Sequence, residues 1–177
     1  MIWLGQLLGL FTFALGIACF YQRDDRKLKL TMLVMNLNNV PHFWLLGAET
    51  AALGSALSVL RTGLALRFRG LPLAFGFMGI TLALGVPLIQ SPHHWLALVG
   101  SCIGSYALFC LQGIAMRVAF LLGALFWLGN NIAAGSIGGI LLELTLICVN
   151  LRTIVRIQNT TPNKQSPEKQ LQAGQRV

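Results

Sequence analysis

The chain has 177 residues, 55% of them hydrophobic and 10% charged, with a mean hydropathy of +0.71. This composition lies far outside the range of soluble domains and points to a polytopic membrane protein. The formal net charge of +8 would suggest nucleic acid in a soluble protein; here orientation and attraction to anionic headgroups explain it, leaving the lipid bilayer as the partner and excluding nucleic acid.

A spanning helix needs about 20 apolar residues, so seven of them use about 140 and leave only short loops and a tail. The first apolar stretch, 2–21, lacks a basic leader and a small-residue cleavage site, so it is read as a retained span. The second is predicted over 28–46. Between them, Arg23-Asp24-Asp25-Arg26-Lys27 carries both signs and reads as a locally paired turn. Gly47, which tolerates positive φ, is the natural pivot into a third span over 47–66. A fourth is predicted over 71–89, then an uncharged turn, Gln90-Ser91-Pro92-His93-His94. The last three spans are predicted over 95–112, 115–131 and 137–155. Residues 1–157 thus form an all-α transmembrane bundle, and 158–177, rich in Gln, Thr, Pro, Lys and Asn, a polar, disordered tail.

With seven spans, all thirteen Lys and Arg residues fall on one side of the membrane. Short loops rich in Lys and Arg stay in the cytoplasm, which places the C-terminus inside and Met1 outside. Adding or removing one span would divide the basic groups between two faces.

An internal echo organises these spans. His42-Phe43-Trp44-Leu45-Leu46-Gly47 near the end of the second is repeated as Leu125-Phe126-Trp127-Leu128-Gly129 near the end of the sixth. Each is followed, in the next span, by an Arg-Thr pair: Arg61-Thr62 and Arg152-Thr153. The expected order is three helices, one linker helix and three helices, the triplets related by an axis along the membrane normal.

The informative residues are polar ones that are costly in hydrocarbon. Asn36, Asn38, Asn39 and His42 gather on the second span beside Pro41, which removes one backbone donor and frees a carbonyl about one turn earlier. They either line a central cavity or hydrogen-bond to neighbouring helices, each bond contributing about 1 kcal/mol. Glu143 lies among leucines in the last span, where a carboxylate costs about 3 kcal/mol. It is a candidate proton carrier or solute ligand, or else it is hydrogen-bonded to Asn130, Asn131 or helix backbone. Asn150, seven residues on, shares its helix face. Glu49 is expected near the outer surface, within reach of water.

Several chemistries are not indicated. Cys19, Cys102, Cys110 and Cys148 form no CxxC pair and read as packing residues. His93 and His94 lack a third metal ligand. The glycine-rich run Ala134-Gly135-Ser136-Ile137-Gly138-Gly139 has no following Lys, and reads as a site of close helix approach instead of a phosphate loop. No hydrolytic motif is present, so neither an enzyme nor a cofactor is expected.

Taken together, Arg23-Asp24-Asp25-Arg26, His42-Phe43-Trp44-Leu45-Leu46-Gly47 with Arg61-Thr62, Ala107-Leu108-Phe109-Cys110 with Met116-Arg117, and the glycine-rich run with Glu143 and Asn150 resemble the YgjV family of bacterial inner-membrane proteins. The resemblance covers most of residues 1–157 and implies the bacterial inner membrane. The helix order is also similar to that of SWEET and other PQ-loop transporters, which alternate access between two triplets. The chain has no Pro-Gln dipeptide; Pro41, Pro72 and Pro87 are its candidate hinge prolines. The expected function is therefore a carrier of a small polar solute, with a cavity lined by Asn36, Asn39, His42, Asn130, Glu143 and Asn150. The alternative is a non-transporting scaffold or accessory subunit.

Overall fold

The computed structural model describes residues 2–45, 49–89, 92–133 and 137–160. They form seven α-helices and, among the described residues, no strand: α1 Ile2–Tyr21, α2 Asp25–Leu45, α3 Glu49–Arg67, α4 Leu71–Gly85, α5 His94–Cys110, α6 Gly113–Ala133 and α7 Ile137–Thr160. A short 3-10 segment, Val86–Leu88, comes after α4. The predicted pivot at Gly47, residues Gln90-Ser91 of the turn expected to be external, and the tail beyond Thr160 lie outside the described residues.

The helix ends differ from the predicted ones for local reasons. α2 begins three residues early because Asp24 caps it: its carboxylate accepts the Lys27 N–H at 2.8 Å and its carbonyl accepts the Leu28 N–H at 2.9 Å. The mixed-charge segment is thus partly the first turn of a helix. α2 also runs through Pro41 to Leu45. α4 is shorter than predicted: Pro87 cannot continue an α-helix, and the chain tightens into the 3-10 segment. α7 continues to Thr160, beyond the expected boundary at 157.

Each of α1/α2, α2/α3, α5/α6 and α6/α7 packs as neighbours, while α4 lies on α5. Two triplets result, centred on α2 and α6. They meet at two edges, α1 with α7 and α3 with α5. A two-fold relation that exchanges α1 with α5, α2 with α6 and α3 with α7 maps one edge onto the other. The Thr of each Arg-Thr pair, Thr62 and Thr153, is fully buried. The Phe-Trp echo is less exact, since Trp44 is one residue from the end of α2 whereas Trp127 is well inside α6.

Small residues set the closest approaches. α1 turns Gly5, Gly9, Thr12, Gly16 and Cys19 inward, at spacings of three and four residues that form one face of a helix. A Cβ at Gly9 would lie 2.7 Å from the His42 ring. In the other triplet, a Cβ on Gly100 would lie 3.0 Å from the Gly123 carbonyl and 2.8 Å from the Trp127 indole. Backbone therefore meets backbone where α5 crosses α6.

Outward faces are apolar on every helix. Leu7 and Leu10 on α1, Val34 and Leu37 on α2, Leu60 on α3, Phe75 on α4, Val99 on α5, Leu122 on α6 and Leu144 and Leu151 on α7 are all exposed. So much apolar surface on all sides suits hydrocarbon, not water. Two helices, Trp3–Tyr21 and Gly113–Ala133, are long and apolar enough by themselves to cross a membrane. Leu71–Gly85 and His94–Cys110 are apolar but shorter, about 22 and 25 Å at 1.5 Å per residue. The remaining three carry ionisable residues along their length.

Most fully buried apolar side chains lie toward one end of the bundle, where α1, α3 and α5 finish and α2, α4 and α6 begin. Leu28, Ala65, Ala74, Phe77, Leu108, Phe109 and Met116 form this core, with Phe77 stacked on Phe109 at 5.5 Å. Arg23, Arg67, Arg69 and Arg117 gather at the same place, which makes it the basic end of the molecule.

Gly100→Val should destabilise the protein by about 1–3 kcal/mol through overpacking. Gly104→Ala, on the same helix with no atom within 4 Å of the added Cβ, should be neutral or stabilising by up to about 1 kcal/mol. Thermal unfolding in detergent measures both.

Candidate functional site

The buried polar chemistry concentrates at the basic end, and its centre is a pair of cations. Lys29, the fifth residue of α2, is 3% exposed. Its ammonium donates to the Leu108 carbonyl at 2.7 Å and to the Ala65 carbonyl at 3.2 Å. Those carbonyls belong to the last turns of α5 and α3, which lack intrahelical donors and carry the negative end of the helix dipole. Lys29 thus caps two helices at once. Leu28 and Asn36 are buried on the same helix, so Lys29 continues an inward face that a helical wheel places within about 20° of Asn36.

Arg117, the fifth residue of α6, is fully buried. Its Nη2 donates to the Arg23 carbonyl, just past the end of α1, at 3.1 Å and lies 3.8 Å from the Asp25 carboxylate. Asp25 accepts a hydrogen bond from the Gly113 N–H at 2.5 Å. Gly113 reaches that position with φ +57°, a conformation glycine adopts without steric cost. The Asn150 amide of α7 donates to the Arg117 carbonyl at 2.9 Å. Lys29 and Arg117 therefore correspond under the two-fold relation: each sits on a central helix and reaches the C-terminal end of the first helix of the other triplet.

Further contacts bind this end. Cys19 donates to the Leu28 carbonyl at 3.3 Å, and the Arg156 guanidinium lies over the Tyr21 ring at 4.2 Å. Gly70 N–H donates to the Phe109 carbonyl at 3.2 Å, joining the α3–α4 turn to α5. Deeper in the seam between α3 and α5, Arg61 Nη1 donates to Ser105 Oγ at 3.1 Å and lies 3.5 Å from the Ser101 carbonyl.

The polar residues of α2 divide between two faces. Asn36 donates to Thr62 of α3 at 3.4 Å. Asn38 donates to the Leu8 carbonyl and to Thr12 Oγ1, both at 2.8 Å, and Thr12 Oγ1 donates to the side-chain Oδ1 of Asn39 at 2.7 Å. The His42 Nδ1 lies 2.7 Å from the Gly5 carbonyl. Asn36 therefore faces α3, Asn39 and His42 face α1, and Asn150 faces α6. Asn130 has a buried side-chain oxygen without a partner. Glu143 is half-buried, on the α7 face it shares with Asn150. Among the described residues, no hydrogen bond joins any two of these six. Among the described residues no group of three or more His, Cys, Asp or Glu is placed to hold a metal.

Lys29, Asp25 and Arg117 are absent from the sequence-derived site, as are Arg61, Ser105 and Thr12. The spacing of Lys29 and Asn36 was the available signal for one of them. Nothing in sequence distinguishes the inward Arg117 from an exposed topological charge such as Arg152.

Asp25→Asn should lower stability by about 1–3 kcal/mol, because Arg117 then lies buried without a carboxylate; the partial exposure of Asp25 keeps the cost at the lower end for buried pairs. Arg117→Met in the Asp25→Asn background should recover part of the loss, as read by a double-mutant cycle of thermal unfolding.

A family profile described as bacterial inner membrane protein matches residues 3–161. Inner membrane protein YgjV of Escherichia coli (strain K12) is 33% identical over 154 residues, covering 87% of this chain and 84% of that protein. No solved structure matches. An all-helical bundle with apolar outer faces is the form such a family requires, and the match spans all seven helices: the chain belongs to the Imp-YgjV family of bacterial inner membrane proteins.

Proposed function

We propose that this inner membrane protein is a non-enzymatic carrier of a small polar solute, with the basic end in the cytoplasm and the N-terminus outside. The observation supporting the reading is how polar bonds are distributed between helices. Within the first triplet, His42 to Gly5, Asn38 to Leu8 and Asn36 to Thr62 tie α1, α2 and α3 into one unit. Between triplets, Lys29 to Leu108, Arg117 to Arg23, Gly113 to Asp25 and Arg61 to Ser105 lie at or toward the basic end. Two units fastened at one end, with no such bond between them at the other among the described residues, suit alternating access, with the basic end closed in this conformation.

Of the six candidate solute ligands, Asn130 and Asn150 each keep a buried side-chain oxygen without a partner among the described residues. Asn36, Asn39, His42 and Asn150 each also make a bond between helices. Their present use in helix packing favours a second reading, a non-transporting scaffold or accessory subunit.

Uptake separates the two. Proteoliposomes offered a mixture of polar cell metabolites should accumulate at least one component, and Glu143→Gln should cut the rate by about tenfold, about 1.4 kcal/mol. No accumulation, or native rates in both Glu143→Gln and Asn130→Ala, leaves the scaffold reading. For orientation, reporter fusions at Val177 should read cytoplasmic and those near Ser91 external; finding both on one side overturns the proposed topology.

A further inference from the structure

Three cations lie within the protein toward the basic end, and two are matched. Lys29 rests on the C-terminal carbonyls of α3 and α5, whose dipoles together offset about one charge. Arg117 has a countercharge in the Asp25 carboxylate and a bond from Nη2 to the Arg23 carbonyl, although its Nε and Nη1, like Arg61 Nε, are buried without a hydrogen-bond partner. Arg61 has neither such helix ends nor a countercharge among the described residues. Six residues from the end of α3, it lies about 9 Å inside that end. Its Nη1 reaches the fully buried Ser105 hydroxyl and, at the limit of hydrogen bonding, the Ser101 carbonyl. Its Nε is buried without a partner, and among the described residues no carboxylate pairs with it.

We infer that Arg61, with Ser105 beside it, is a binding site for a phosphate or carboxylate group at the seam between α3 and α5. The edge formed by Nε and Nη2 makes no bond within the described residues, and it is the edge that takes two oxygens of an oxyanion side by side. Ser105 holds the other side of the guanidinium: it accepts from Nη1 while donating to the Ser101 carbonyl at 3.0 Å. An arginine this deep in a membrane protein is stabilised by a countercharge. The seam is one of the two edges at which the triplets meet, so an anion there contacts both units. The inference names the solute class of the proposed carrier and rests on that reading for translocation of the bound anion, but binding itself is read independently.

The test is thermal unfolding of the full chain in neutral detergent, titrated with sodium phosphate or sodium acetate against sodium chloride at matched ionic strength. A parallel arm adds phosphatidylcholine vesicles with or without phosphatidylglycerol. The native protein should show a saturable rise in melting temperature with phosphate or acetate if the ligand is a solute, or with phosphatidylglycerol alone if it is a lipid headgroup. Arg61→Met should abolish the rise, and Arg61→Lys, which keeps the charge without the planar fork, should weaken apparent affinity about tenfold. Arg61→Lys serves alone if Arg61→Met does not fold. No rise with any anion, or an equal rise in native protein and in the variants, overturns the site. An Arg61-dependent rise without solute uptake keeps the site and removes the carrier reading; native uptake of an anion by Arg61→Met removes the site from the transport path.

Discussion

A primary ammonium placed between the carbonyl ends of two helices organises this bundle. Lys29 is taken almost wholly out of solvent, a cost of several kcal/mol for an isolated ion, and it is held there because the last turns of α3 and α5 present acceptors that no backbone donor satisfies. The requirement runs both ways. Without Lys29, those helix ends would converge in an apolar core, among Leu28, Ala65 and Leu108, with unmet carbonyls. Arg117 solves the related problem at the end of α1 with a guanidinium and the Asp25 carboxylate. The folding of two triplets onto one another is thereby coupled to the placement of two charges.

The remaining architecture depends on the internal bonding of each triplet. Hydrocarbon supplies little driving force between apolar helices, so association depends on close packing and interhelical hydrogen bonds. The first triplet uses both: Gly9 admits the His42 ring, which meets the Gly5 carbonyl, and Asn38, Asn39 and Thr12 lock α1 to α2. In the second, Gly100 against Gly123 brings α5 and α6 to backbone contact, while Asn150 fastens α7. Bonds within the first triplet occur along its length, from His42 to Gly5 at one end to Lys29 to Ala65 and Cys19 to Leu28 at the basic end, whereas those between triplets lie at or toward the basic end. On the proposed carrier reading, that distribution of bonds would let the two units move relative to each other about the basic end.

Much of this was legible in sequence, and the parts that were not have physical reasons. Seven helices and the gathering of basic residues at one end follow from apolar run length and charge position, and the three-one-three order from the internal echo. The inward face of α1 was also readable, since Gly5, Gly9, Thr12, Gly16 and Cys19 recur at helical spacing. The division of α2 was readable too: at about 100° per residue, Asn38 and His42 lie about 40° apart while Asn36 lies more than 100° from either. Asn39, about 60° from both Asn36 and His42, lies between those two directions. By contrast, Lys29 and Arg117 were hidden. A cation near a helix end is usually solvated, and only the arrival of a second helix end, distant in sequence, turns it inward. The start of α2 was misplaced because Asp24 acts as a cap, a role its charged neighbours obscured.

The central claim, that buried cations latch two otherwise rigid triplets, is tested most directly by electron-electron distance measurements in lipid. Cys102, Cys110 and Cys148 are replaced by Ala and Cys19 by Ser, which keeps a donor to Leu28. Spin labels at Arg67 and Gln112, both exposed at the basic end, report between triplets; labels at Leu10 and Leu37, exposed on α1 and α2, report within one. In the Lys29→Gln, Arg117→Gln double variant, the account predicts a longer and broader Arg67–Gln112 distribution with Leu10–Leu37 unchanged. An unchanged Arg67–Gln112 distribution, or equal broadening of both pairs, would contradict it.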